Sequence, residues 1–290
     1  MPPPDADTGA GLAVVIPVRD RPGLLQRAVD GVIAQHRPGV QLIVVDDGSD
    51  PPVSPGVVPP ALGSVVRVES VGVASARNAG VAAADGCGWI TFLDSDDEAS
   101  AGWIDSMLLA QSSGAALFSC GARYEWNDGA QESPVPAPMW GSPDAPRALF
   151  LAGTFAVDRS LFLRAGGYRA GLRHGENTDL GWRLAAVVRS DAAACVSVDE
   201  PLVLVHAVRR DRDTVVRLES ALAVLADPPE LLLADRRTHA TYFAIAGVAA
   251  SRLGQRRTAL SLLGRAVRTD PREPRHVARW ARALVGRARG

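Results

Sequence analysis

Three carboxylates crowd one short run, Asp94-Ser95-Asp96-Asp97, directly after the apolar stretch Trp89-Ile90-Thr91-Phe92-Leu93. Like charges this close repel one another unless a cation or a proton offsets them. Hard cations such as Mg2+ and Mn2+ take oxygen ligands and also coordinate diphosphates. A metal held between carboxylate and diphosphate neutralises the charge that builds on a phosphate leaving group. The competing reading is a solvated turn in which Asp96 or Asp97 caps the next helix. A second acidic run, Asp46-Asp47-Gly48-Ser49, follows the apolar stretch Leu42-Ile43-Val44-Val45. Its Asp-Gly step suits a tight turn, and a carboxylate there can also accept a hydrogen bond from a nucleobase N–H. Between the two runs, Gly72 to Gly80 is built of small residues around Arg77 and Asn78. Small residues let a helix approach a sheet closely, and the two polar side chains are donors. Arg77 can pair with a diphosphate, with the acidic run, or in a structural ion pair.

The elements that must position these groups alternate. Ala13-Val14-Val15-Ile16, ended by Pro17, reads as a buried strand. Pro22 suits a first helical position, and Leu24, Leu25, Ala28, Val32 and Ile33 repeat at helical spacing. Leu42 to Val45, Val65 to Val68 and Trp89 to Leu93 read as further strands, with a helix from about Ala74 to Ala84. A helix near Trp103 to Gln111 and a strand near Ala116 to Cys120 continue the series. Alternation of this kind predicts a mostly parallel α/β sheet with right-handed crossovers, in which ligands bind beyond the carboxyl ends of the strands. Pro17 to Arg21, Asp46 to Ser49 and Asp94 to Asp97 should therefore share one rim. Asn127 to Pro146 reads as a long loop. A helix starting near Glu176 with Leu180, Leu184 and Val187 on one face follows, then an extended run from Val196 to Val205.

The tail changes character. Phe243, Ala246, Gly247, Ala250, Gly254, Ala259, Leu263, Ala266 and Pro271 fall at the spacing of a tetratricopeptide-like hairpin, over about residues 240–273. A plain helical bundle is the alternative, and a third helix from Pro274 to Val285 follows in either case. Asp235 onward carries thirteen arginines against three acids, a net of +10 in a chain of net −1, and lysine is absent throughout. That basic tail is a candidate for peripheral contact with anionic lipid. Nucleic-acid binding has no support beyond charge. The chain divides as a disordered start (1–11), an α/β domain (12–210) and a helical appendage (211–290). No apolar run is long enough to span a bilayer, and the opening Met1-Pro2-Pro3-Pro4 does not read as a secretory signal. Cys87, Cys120 and Cys195 lie far apart with no CxxC pairing, which fits a reducing, cytoplasmic setting, or the inner face of a membrane if the tail attaches there.

Four segments in order resemble family 2 glycosyltransferases: Val14 to Pro22, Val44 to Ser49, Gly72 to Gly80, and Trp89 to Asp97. The resemblance spans residues 12 to 110 and thins out toward 206. It implies a GT-A fold, a nucleotide-diphosphate-sugar donor (a UDP- or dTDP-sugar), Mn2+ or Mg2+, and transfer with inversion. It also implies site residues. Pro17, Val18, Arg19 and Asp47 would line the nucleoside pocket. Asp94-Ser95-Asp96 would be the DxD motif, with Arg77 and Asn78 beside the donor. Asp94 and Asp96 would hold the metal, joined by His206.

Inverting transfer is a direct displacement in which a base takes the proton of the acceptor hydroxyl. The segment Gly175-Glu176-Asn177-Thr178-Asp179 resembles the family's base-bearing segment, but Asn177 stands where its common aspartate would be. Glu176 and Asp179, three apart on one helical face, are the remaining candidates. The competing reading pairs Asp179 with Arg183 and leaves both acids merely favouring the helix N-terminus. The acceptor could be a glycan, a lipid-linked glycan, a peptide or a natural product. The alternative function is a transferase-like module that binds nucleotide-sugar without turnover. Nucleotidyl transfer is disfavoured, because no glycine-rich phosphate loop follows the first strand.

Overall fold

The computed structural model describes residues 11–133, 151–207 and 213–285. Residues 1–10 of the expected disordered start and residues 134–146 of the expected long loop lie outside them. The described chain forms two compact units, residues 1–171 with 187–209 and residues 172–186 with 210–290.

The first unit is a sheet ordered β3-β2-β1-β4-β8-β6-β9-β5, with β7 paired to β6 off that path. Strands β1 (Gly11–Val18), β2 (Val40–Asp47), β3 (Gly63–Val68) and β4 (Cys87–Phe92) are mutually parallel. They are joined by α1 (Pro22–Ile33) and α2 (Val73–Ala82), as the alternation of apolar runs and helical spacing predicts. The remaining strands mix directions. β8 (Phe155–Asp158) is antiparallel to both β4 and β6 (Leu117–Trp126), whereas β9 (Cys195–Ala207) runs parallel to β6. Inserted between β4 and β6 are the two-residue strand β5 (Glu98–Ala99) and helix α3 (Trp103–Ser112); α4 (Arg159–Arg164) follows β8. The start of the expected long loop is instead a hairpin, since β7 (Gln131–Glu132) pairs back onto Tyr124 and Glu125. No periodicity announces a two-residue strand. The three cysteines form no disulfide.

β1 and β2 are buried on both faces, as their unbroken apolar sequences require. Gly80 explains how α2 reaches them. A Cβ at that position would lie 2.3 Å from Val15 Cγ1 and 3.0 Å from Val45 Cγ2, so glycine is what lets the helix backbone lie on the sheet.

The second unit is helical. It takes in residues 172–186, with the opening turns of α5 (Glu176–Asp191), then α6 (Thr214–Ala226), α7 (Glu230–Ala234), α8 (Arg236–Arg252), α9 (Arg256–Thr269) and α10 (Pro274–Val285). α8 and α9 are joined by a short turn at Gly254 with φ +74°. Phe243, Ala246, Ala250, Ala259, Leu263 and Ala266 fill the core of this unit with Leu218 of α6. Gly247 repeats the device of Gly80: a Cβ there would lie 2.7 Å from Leu263 Cγ and 3.1 Å from the Leu263 backbone nitrogen. Carboxylates cap two of the helices, Asp213 on Val215 and Val216 of α6 and Asp235 on Arg237 and Thr238 of α8. No helix among the described residues is long and apolar enough to cross a membrane.

Candidate functional site

The carboxyl ends of β1, β2 and β4 carry the three polar clusters. At β2, Asp46 is buried. Its Oδ1 accepts the Ser49 N–H at 2.8 Å, its Oδ2 accepts the Val53 N–H at 3.1 Å, and Arg67 forms an ion pair with it. Burial pushes the Asp46 carboxyl up, but the hydrogen bonds from Ser49, Val53 and Arg67 outweigh it and hold the group below its ordinary value. Asp47 accepts the Val71 N–H at 2.6 Å and the Gly72 N–H at 3.0 Å. These N–H groups stand immediately before α2, whose N-cap is Gly72, so Asp47 ties the chain entering the helix to the end of β2. Ser49 and Asp20 stitch β1 to β2, with the Asp20 N–H on Ser49 Oγ at 3.0 Å and the Asp50 N–H on Asp20 Oδ1 at 2.9 Å. Gly48 turns at φ +77°, and a Cβ there would meet Ser70 Oγ at 2.8 Å.

At β4 every acid meets a partner. Arg77, its side chain 1% exposed, donates to Asp94 Oδ1 at 2.6 Å and lies 5.0 Å from the centre of the Tyr168 ring. Arg21 pairs with Asp96 Oδ2, and Arg27 reaches both the Asp96 carbonyl at 3.3 Å and Glu98 Oε1 at 3.0 Å. Asp97 is buried and accepts the His206 N–H at 3.1 Å. Burial first, then the charges of Asp94 and Asp96, push the Asp97 carboxyl well above its ordinary value, against the pull of His206 and Arg77. The capping alternative fails here, because α3 starts from Gly102 with no side-chain cap.

The site residues expected from sequence part into two groups. Pro17, Val18, Arg19, Asp47, Arg77, Asn78, Asp94, Ser95, Asp96 and His206 all belong to the first unit. Arg19 is half exposed and leans on Asp20 at 3.5 Å, while Ser95 is buried inside the acidic turn. Asn78 spends both amide atoms on the Tyr168 backbone, donating to its carbonyl at 2.7 Å and accepting its N–H at 2.9 Å. The His206 ring is engaged by carboxylates, with Nε2 2.7 Å from Glu98 and Nδ1 3.5 Å from Glu125. Among the described residues no three His, Cys, Asp or Glu side chains form a metal-binding group. Arg21 and Arg27 were missed by sequence reasoning, and the weak signal was their place in and after the Pro17 to Arg21 cluster.

Glu176 and Asp179 belong to the second unit. Asp179 is fully buried, and Arg183 clamps its Oδ2 with Nη2 at 2.6 Å and Nε at 3.0 Å. Trp182 meets the Tyr242 ring edge-on at 5.3 Å. Burial and the Asp179 charge push the Tyr242 hydroxyl up to about 12. Glu176, half buried in the first turn of α5, accepts from Asn177 Nδ2 at 3.4 Å.

A divalent cation fits what stands at β4. Mg2+ is commonly held by one or two carboxylates, with water and substrate phosphate completing its shell. Asp94 Oδ2 and Asp96 Oδ1 have no partner among the described residues, since Arg77 and Arg21 occupy the opposite oxygens.

The sequence model of glycosyl transferase family 2 matches residues 13–175, more than half of the chain. The chain belongs to glycosyl transferase family 2. The pre-mycofactocin glycosyltransferase of Mycobacterium tuberculosis is 31% identical over 221 residues, covering 68% of this chain and 44% of that protein. The succinoglycan biosynthesis protein ExoO of Rhizobium meliloti is 33% identical over 100 residues, 33% of this chain and 28% of that one. This family 2 chain thus spans less than half the length of these curated relatives. Among solved structures, S. aureus TarS 1–349 superposes with a TM-score of 0.59 at 14% identity, covering 94% of this chain and 87% of that one. The mannosyltransferase PcManGT of Pyrobaculum calidifontis, solved in complex with GDP-Man and Mn2+, gives 0.57 at 18% identity, covering 98% and 88%. At these identities the likeness is one of fold, and the fold is the GT-A type.

Proposed function

We propose that this chain is a metal-dependent glycosyltransferase that moves a sugar from a nucleoside diphosphate donor, a UDP- or dTDP-sugar, to an acceptor hydroxyl with inversion. The observation that carries the reading is the β4 terminus, where Asp94 and Asp96 each give one oxygen to an arginine and keep the other available. Mn2+ or Mg2+ bound there would neutralise charge on the departing diphosphate. Arg77 and Arg21 add fixed positive charge on the same side, and burial of Arg77 holds that charge in place. Asp47, Pro17, Val18 and Arg19 form the nucleoside end of the rim. Asn78 acts through the chain it anchors, because its amide fixes Tyr168, which in turn stacks on Arg77. Glu176 takes the acceptor proton; Asp179, buried in its clamp, orients Arg183 and the first turns of α5.

Acceptors remain a class: glycan, lipid-linked glycan, peptide or natural product. The test is donor hydrolysis and transfer measured with and without Mn2+ for the chain and its Asp96→Ala variant. Metal-stimulated turnover lost in the variant supports the reading, and equal turnover in both refutes the metal role.

A second reading rests on Asn177, which stands where the family's common base would be, and on the clamp that removes Asp179 from proton transfer. The domain would then hold nucleotide-sugar without turnover. Calorimetry would show Mn2+-dependent nucleotide binding, and any glycosylated product over long incubation would exclude this reading.

A further inference from the structure

The helical unit contains a cavity of about 360 Å3 between α6, α8 and α10. Four arginines are among its lining residues: Arg217 of α6, Arg252 of α8, and Arg279 and Arg282 of α10. Among the described residues none of the four has an ion pair, and no carboxylate lines the space. Asp213, next to the lining residue Thr214 in sequence, is committed to the Val215 and Val216 N–H groups. Ile245 and Val248 give the cavity an apolar wall.

Arginine stays charged at every physiological pH, so four of them around one space repel unless an anion offsets them. Guanidinium forks match phosphate oxygens in pairs, and such charge-assisted bonds are stronger than neutral ones. The volume lies in the range of small-ligand sites, which combine apolar walls with a few convergent polar groups. An inert solvated basic face has its arginines spread over a convex surface; these four converge on a concavity. We propose that this cavity is a binding site for a ligand bearing a phosphate or diphosphate, with an apolar portion against Ile245 and Val248. The site lies wholly within the helical unit and does not depend on the donor-site reading above.

Pyrophosphate is titrated calorimetrically into the full chain at fixed ionic strength in the presence of EDTA, alongside an Arg279→Gln/Arg282→Gln variant. Both changed residues are exposed, and circular dichroism checks that the variant folds. Binding weakened tenfold or more in the variant supports the site. Equal binding in both proteins, or none in either, overturns it, because pyrophosphate held at β4 would not respond to changes on α10. The source of the phosphate is read by flotation with vesicles of phosphatidylcholine alone or with one-third phosphatidic acid. Flotation that needs phosphatidic acid and is lost in the variant assigns a lipid headgroup. Arginine-dependent pyrophosphate binding without flotation assigns a soluble phosphate ligand.

Discussion

The two units handle concentrated charge in opposite ways. In the α/β unit the acids gather at the strand ends, and each cluster meets arginine: Asp46 with Arg67, Asp94 with Arg77, Asp96 with Arg21, Glu98 with Arg27. In the helical unit the arginines gather, and Arg217, Arg252, Arg279 and Arg282 face one cavity with no acid among them. The first arrangement is balanced from within, by side chains on neighbouring elements, and keeps single carboxylate oxygens in reserve. The second has no carboxylate among its described lining residues, which is what makes an external anion its proposed counter-charge. Internal pairing suits a site that must be shaped before its ligand arrives; missing pairing suits a site whose ligand is itself the counter-charge.

The largest effects should come from the residues proposed for transfer, Glu176 of the helical unit and Asp96 of the α/β unit. Glu176→Gln should lower transfer about 10³-fold, the range of a lost general base, while donor affinity is kept. A variant with near-normal kcat would remove Glu176 from the mechanism. Asp96→Ala should lower metal-dependent turnover about 10²-fold or more and abolish the Mn2+ response. Asp179→Asn probes internal pairing in the helical unit. It removes the charge of one member of a buried pair whose Arg183 side chain is only 19% exposed, and should cost about 3 kcal/mol in urea unfolding. Stability within about 0.5 kcal/mol of the parent would mean that the clamp is dispensable.

Two glycines sharpen the comparison at the level of packing. Gly80→Ala sets a Cβ against Val15 and Val45, and Gly247→Ala sets one against Leu263, including its backbone. Each should lose about 1–3 kcal/mol to overpacking, less the gain of about 1 kcal/mol from better helix propensity. If Gly80→Ala is neutral in urea unfolding, the approach of α2 to β1 has slack.

The smallest effect is the pH dependence contributed by two histidines of the helical unit, opposite in sign to that of the raised Asp97 carboxyl. His276 is buried with neither ring nitrogen hydrogen-bonded among the described residues. Burial and then Arg279 hold its imidazole below the ordinary value, although Glu273 and Asp270 pull upward. His239 is lowered in the same direction by burial and by Arg265. For a base depressed in the folded state, the unfolded chain binds the proton first. The stability is therefore complete above the unfolded value near 6.5 and falls as pH drops through the lower folded value. The urea midpoint should fall between pH 7.5 and pH 5.5, and His276→Phe should flatten that fall. An equally steep fall in the variant would shift the cause to other groups.

Much of this was legible in the sequence. Apolar runs ended by polar clusters located β1, β2 and β4, because a strand buried on both faces has little freedom of composition. The order of the clusters placed them on one rim, because parallel strands share a carboxyl edge. The hairpin of α8 and α9 was legible from small residues at helical spacing, since two helices can approach only where side chains are short. β5, β7 and β8 were not legible: each is two to four residues long, and their pairing is set by partners far along the chain.

Sequence alone therefore determined which side chains stand at the strand ends, since that follows from local pattern and strand direction. Tertiary structure alone decided what those side chains do. Arg21 and Asp96 are 75 residues apart, and Asn78 and Tyr168 are 90 apart, so no local signal joins them. Asp46 and Asp47 are neighbours of one type, yet one is sunk among Ser49, Val53 and Arg67 and the other accepts the Val71 and Gly72 N–H groups ahead of α2. Successive residues of a strand point to opposite faces, and the surroundings of each face are supplied by the rest of the fold.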